Sequence, residues 1–272
     1  MKNLKLFFFS LILTLGVAAQ DNNKEQLTVP LTEPGKPFKL SIDLINGSIT
    51  VTGYDGKDIL VDAEADKENE KSESRNQSSN GMRRLNSHSL SVIADVRNNS
   101  VNIHTEDPNK VVRLTVKIPK GAENIKLATV NDGDIEVNNT GGEMEITNTN
   151  GAIKMTNISG SVVATTLNGD VTVTFSSVDT KAPMAFSTLN GNVDVTFPAS
   201  LKANVKLKSD QGEIFTDFDV VVDRTQAEME KTKDGNMYRL SVKDWVRGKI
   251  AGGGPEIMMN NMNGNIYFRK SK

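Results

Sequence analysis

The sequence predicts an all-β protein: a single-stranded β-solenoid, right-handed parallel β-helix-like, with β caps at both ends. Three observations carry this. First, Asn-Gly or a close equivalent recurs as Asn46-Gly47, Asp132-Gly133, Asn150-Gly151, Asn168-Gly169, Asn190-Gly191, Gln211-Gly212 and Asn263-Gly264. Second, from Gly133 to Gly212 the glycines are spaced 18, 18, 22 and 21 residues apart. Third, apolar residues keep fixed offsets from them. Two residues after the glycine stand Ile49, Ile135, Ile153, Val171, Val193, Ile214 and Ile266. Five before it stand Ile42, Ala128, Ile146, Ala164, Phe186, Leu207 and Met259. Seven before it only Lys126 interrupts an apolar column, and four after it only Thr216 does.

Alternation of period two on both sides of a polar corner marks two short strands with one buried face. Gly accepts the left-handed backbone that a sharp corner needs. Gly47, Gly133, Gly151, Gly169, Gly191, Gly212 and Gly264 are therefore expected to be structural corners. Asn-Gly also marks two-residue hairpins, so a two-sheet β-roll or an antiparallel meander is the alternative. A meander explains each corner separately but not the regular recurrence of the same strand pair.

The elements follow in chain order. Residues 1–19 read as a signal peptide: Lys2 and Lys5, an apolar core from Phe7 to Leu15, then Val17-Ala18-Ala19 before Gln20. No cysteine follows that core, so the expectation is an exported protein of the bacterial periplasm or outer surface without a lipid anchor. Residues 20–118 read as an N-terminal β region and cap. It has strands near Phe38–Ile42, Ile49–Val51, Ile59–Ala63, Leu90–Ala94 and Val111–Ile118, and a polar mobile loop over 64–88. Residues 119–218 carry the solenoid repeats. Residues 219–272 leave the repeat, hold the single tryptophan, Trp245, and return through Gly252-Gly253-Gly254-Pro255 to a closing repeat.

The pieces resemble a known bacterial family. They are Leu44-Ile45-Asn46-Gly47-Ser48-Ile49, Val116-Lys117-Ile118-Pro119-Lys120-Gly121, Thr129 to Ile135, Thr166-Leu167-Asn168-Gly169-Asp170-Val171, Phe197-Pro198, and Gly253-Gly254-Pro255 with Asn263-Gly264-Asn265-Ile266. In this order they are similar to the adhesin-like family of β-strand repeats, a domain of unknown function related to the β-helical heads of auto-transporter adhesins. The resemblance implies a β-helix at the cell surface or in the envelope and no family-wide catalytic residue.

Chemistry is sparse. There is no cysteine, and His88 and His104 are the only histidines; neither sits in a zinc-binding spacing. Gly252–Gly254 lacks the Lys-Ser/Thr of a phosphate loop and reads as a turn. Gly133, Gly142, Gly151, Gly160 and Gly169 fall at nine-residue steps, as in a calcium β-roll, but the aspartates do not recur with them. Asp134 and Asp170 are the one repeat-aligned aspartate pair near a glycosidase separation, about 9.6 Å for two coils. As outward residues they are expected to be solvated surface groups. Glu136 and Lys154 are expected to pair across adjacent coils. No catalytic residue, cofactor or metal ligand is assigned.

Without the signal, 30 basic residues face 34 acidic ones, a balance unsuited to nucleic acid. No further apolar run is long enough to span a membrane. The function expected is a non-enzymatic envelope adhesin or scaffold that binds a glycan or protein through polar β faces. A β-helical polysaccharide hydrolase or lyase is the alternative. Three tyrosines and one tryptophan are few for sugar platforms.

Overall fold

The structure, a computed structural model, describes residues 24–65, 90–131, 133–223, 228–234, 237–243 and 245–272. The segment expected to be a signal peptide lies outside the described residues, as does the expected 64–88 loop except for Glu64 and Ala65, which are strand. The described residues contain no helix. The strands of the N-terminal part are β1 (Lys24–Val29), β2 (Phe38–Tyr54), β3 (Ile59–Ala65), β4 (Val92–Arg97), β5 (Ser100–Thr105) and β6 (Val112–Pro119). There follow β7 (Ala122–Asn131), β8 (Ile135–Asn138), β9 (Gly141–Asn150), β10 (Ile153–Asn168), β11 (Val171–Val178), β12 (Met184–Asn190) and β13 (Val193–Phe197). Next come β14 (Ala203–Ser209), β15 (Ile214–Thr216), β16 (Val220–Asp223), β17 (Glu228–Asp234), β18 (Met237–Lys243) and β19 (Val246–Ile250). The last two are β20 (Glu256–Asn263) and β21 (Ile266–Lys270).

Pairing resolves into two ladders that share one core. Strands before the corner glycines stack as β5, the first half of β2, β7, β9, the second half of β10, β12, β20 and β14, all parallel. Strands after the glycines stack as β6, the second half of β2, β8, the first half of β10, β11, β13, β21 and β15, again parallel. Antiparallel strands close the ends. β4 lies on β5, β3 and β1 on β6, and β19 with β16 on β14. The antiparallel meander is therefore wrong for the repeats. Strands flanking Asn150-Gly151 pair with equivalent strands of the next coil, because only that register puts like apolar residues over like.

The inward positions match the sequence columns. Ile49, Ile135, Ile153, Val171, Val193 and Ile266 are all fully buried. Lys126 ceases to be an exception. Asn131 is in register with Asn46, so this corner holds one residue more than the others, and the inward residues are Ile125 and Leu127. Where the coils lengthen, phenylalanines fill the core: Phe175 stacks on Phe197 at 5.0 Å, and Phe186 meets both rings edge-on.

Stacking order departs from chain order at both ends. The repeat at 38–54 lies between the strands of 100–119 and those of 122–138. The closing repeat is last in the chain but not in the stack. It lies inside, with Ile257 between Met184 and Val205 and Ile266 between Val193 and Ile214. Ile214 thus does not follow Val193 in the ladder. It belongs to an edge strand and is only half-buried, and Thr216 beside it is exposed.

Candidate functional site

The corners bring the most chemistry together. Along the stack the corner residues run Val112, Gly47, Gly133, Gly151, Gly169, Gly191, Gly264 and Gly212, each approaching the carbonyl oxygen of its neighbour. A Cβ on Gly151 would lie 2.1 Å from the Gly133 oxygen, and one on Gly264 2.0 Å from that of Gly191. No side chain fits such a distance, which is why glycine recurs there; the expected left-handed backbone is not the common reason, since of the seven only Gly47, Gly169, Gly191 and Gly264 have positive φ. Gly142 and Gly160 form a second column at the opposite corner, beside Asn139 and Asn157 at φ +54° and +57°. The nine-residue glycine step is thus half of an 18-residue coil.

Beneath the first column runs a row of polar side chains, all buried except the half-buried Ser209. Thr129 donates to the Gly47 carbonyl, Asn148 to Gly133, Thr166 to Gly151, Thr188 to Gly169, Asn261 to Gly191 and Ser209 to Gly264, at 2.8 to 3.0 Å. A buried carbonyl left unpaired costs about 1–3 kcal/mol, so each coil satisfies the corner of its neighbour. This row went unread in the sequence, because polar residues there look like solvent-facing ones. Its signal was the column three residues before glycine: Asn148, Thr166, Thr188, Ser209 and Asn261.

Outside the corner the asparagines form an amide ladder. Asn150 donates to Asn131, Asn168 to Asn150, Asn190 to Asn168 and Asn263 to Asn190, at 2.7 to 3.0 Å. One amide hydrogen of each donor is committed to the ladder, and the four donor residues are exposed. Beside it runs a row of exposed or half-buried apolar residues: Ile45, Val130, Leu167, Leu189 and Met262, with Thr149 in line. The ridge repeats every ~4.8 Å along the stack. A periodic amide edge flanked by an apolar strip offers hydrogen bonds and contact area to an extended partner.

Asp134 and Asp170 are exposed, but they are not idle. Asp134 Oδ1 accepts the backbone N–H of Ala152 at 2.7 Å, and Asp170 Oδ1 that of Asn192 at 2.6 Å. Asn192 and Asn265 do the same for Asn265 and Glu213. The two carboxylates are corner staples aimed along the stack. Asp170→Asn keeps the acceptor and is expected to change stability by no more than about 0.5 kcal/mol. Asp170→Ala is expected to cost about 1 kcal/mol, as read from urea melts.

The other sequence candidates scatter. Glu136 and Lys154 are in register but do not pair; cross-coil pairs that do form include Lys126–Glu145, at 2.7 Å on the other ladder, and Arg269–Asp194. His104 Nδ1 is buried without a hydrogen-bond partner; His88 lies outside the described residues. Asp194 holds Arg269 through two bonds of 2.7 and 2.9 Å, which raises the guanidinium pKa further. Among the described residues no group of three metal-ligating side chains occurs. No helix among them is long and apolar enough to cross a membrane, which says nothing of a β-barrel.

Comparison with known proteins agrees with the resemblance read from the motifs. Residues 131–244 match the family described as Toastrack DUF4097. The structure is similar to that of a conjectured cell adhesion protein from Clostridium sporogenes, at 12% identity and TM-score 0.45, covering 91% of this chain and 99% of that one. It is also similar to a conjectured adhesin from Bacteroides fragilis, at 12% identity and TM-score 0.40, covering 91% and 96%. A conjectured lipid binding protein from Parabacteroides distasonis aligns at 11% identity and TM-score 0.26, covering 93% and 98%. No curated protein matches.

Proposed function

We propose that this is a non-enzymatic, exported envelope protein that binds or scaffolds a macromolecule along the outside of a β-solenoid whose flattened coils each contribute one strand to either ladder. The observation that carries this reading is the ridge of Asn131, Asn150, Asn168, Asn190 and Asn263 beside Val130, Leu167, Leu189 and Met262. Its groups are regular, outward and already ordered, so binding them costs little side-chain entropy. Export is supported by the charged, apolar and small-residue segments of residues 1–19. Engagement of Asp134 and Asp170 in backbone hydrogen bonds supports a structural use of the only aligned aspartate pair.

The test is co-sedimentation of the purified mature protein with peptidoglycan sacculi and with envelope vesicles. The triple variant V130E/L167E/L189E changes only the strip. Its retention on the fraction that binds the parent should fall about tenfold, or 1.4 kcal/mol, with the circular dichroism spectrum kept. Equal retention would remove the ridge from the interface. A cell fraction in which the protein stays cytosolic and begins at Met1 would remove the envelope.

A further inference from the structure

We propose that the slot between the coil of 184–197 and the coil of 203–216 also accepts the closing coil of a second copy, so that two molecules join by exchanging residues 256–270. This goes beyond the ridge reading and does not depend on it.

The strand order is the ground for it. β20 pairs along both edges, with β12 and β14, and β21 pairs with β13 and β15. The coil that joins the outermost repeat to the rest of the stack is thus the last in the chain. It follows 203–216 and the β19 cap in the chain. Every group that holds it belongs to the slot. Asn190 accepts the Asn263 amide, Asn261 reaches the Gly191 carbonyl, Asp194 grips Arg269, and Phe268 sits 5.0 Å from Phe197 and 5.2 Å from Phe218. A coil donated by another molecule meets the same set.

The connection is a short glycine turn, in which the Gly253 N–H donates to the Ile250 carbonyl and Asn204 donates to the Gly254 and Pro255 carbonyls. Ala251, Gly252 and Gly253 run consecutively at φ +48°, +88° and +94°, and a Cβ on Gly252 would meet nothing. The linker borders a cleft of about 530 Å³ lined by Val178, Met184, Leu201, Gly253, Gly254 and Pro255; its open residue is Gly252, while a Cβ on Gly253 or Gly254 would stand 2.7 Å from Asn204 or 2.4 Å from the Lys202 oxygen. Five extended residues reach ~17 Å, enough to carry the coil off its own stack. Exchange of an identical element keeps the contacts and changes only the hinge and the association entropy. The slot is selective as well, because a Cβ on the residue facing the Gly191 oxygen would clash at 2.0 Å. Its occupant must carry a glycine corner between alternating apolar strands, as 256–270 does.

The chain contains no cysteine, which makes the test clean. Ala185 and Met258 are register partners on the outer side of β12 and β20, both half-buried. Full-length A185C and M258C are mixed, unfolded together in urea, refolded at high protein concentration and oxidised; the double variant in one chain is the control. The expected product is a covalent dimer linked 185–258, whose yield rises with concentration. Deletion of Gly252 and Gly253, which shortens the path home, should raise the dimer-to-monomer ratio by about tenfold, or 1.4 kcal/mol, as read by light scattering. The proposal is overturned if the mixture gives no 185–258 linkage while the double variant closes within one chain. A folded hinge-deleted protein that stays monomeric at every concentration overturns it too. The second result would mean that the coil of 203–216 has collapsed directly onto 184–197.

Discussion

Ile153→Asp is expected to abolish folding. Ile153 is fully buried and lies in register between Ile135 and Val171. Its loss removes about 1.5–3 kcal/mol of apolar burial. The carboxylate that replaces it has apolar side chains above and below it in the ladder. A buried charge without a partner costs several kcal/mol more, against a total stability of about 5–15 kcal/mol for a domain. Thr156 is the control. It is exposed, three residues along the same strand, and in register with Asn138 and Thr174. Thr156→Asp should stay within about 0.5 kcal/mol of the parent. Circular dichroism and urea melts of the two variants read the result, and a cooperative parent-like melt for Ile153→Asp would refute the inward ladder.

Gly264→Ala is the second large effect, expected to cost about 3–5 kcal/mol. Gly264 has φ +143°, and a Cβ there would stand 2.0 Å from the Gly191 oxygen and 3.0 Å from the Asn261 amide. The carbonyl cannot step aside: Asn261 donates to it, and the Gly191 N–H is itself bound to Asn263. Gly35 separates clash from backbone strain. It has φ +84° with nothing within 4 Å, so Gly35→Ala should lose only about 1–2 kcal/mol. In a stack, damage spreads mainly to neighbouring coils. Hydrogen exchange in Gly264→Ala should therefore quicken over 203–216 and 256–270 and change least over 135–156. A uniform loss of protection would show that the stack unfolds only as a whole.

How far the sequence could be read depended on residue type. Apolar columns were legible because burial and alternation leave the same trace in every coil. The corner at Asn131-Asp132-Gly133 misled because an alignment on glycine hides one inserted residue. That is why Lys126 and Ala128 stood where Ile125 and Leu127 face the core. The Thr, Ser and Asn row was hidden for a different reason. A polar residue announces its partner only when the neighbouring carbonyl is in place. Asp134 and Asp170 were read as free surface groups on the same ground; their partners, Ala152 and Asn192, belong to the next coil in the stack.

Local chemistry in the sequence determined that the chain is all-β, where its corners fall and which side chains turn inward, since each follows from alternation and from the close backbone approach and turns that only glycine permits. Neighbour order was decided only by the tertiary structure. Apart from Thr216, which stands where 256–270 has Phe268, the two coils 203–216 and 256–270 offer the same inward columns, so pattern alone leaves both as neighbours for 184–197. Loop closure discriminates weakly between them, because its entropy grows only with the logarithm of loop length. The order that forms carries specific contacts: Asp194 with Arg269, Phe197 with Phe268, and Asn190 with Asn263. Such pairs form only between side chains the fold has already brought together.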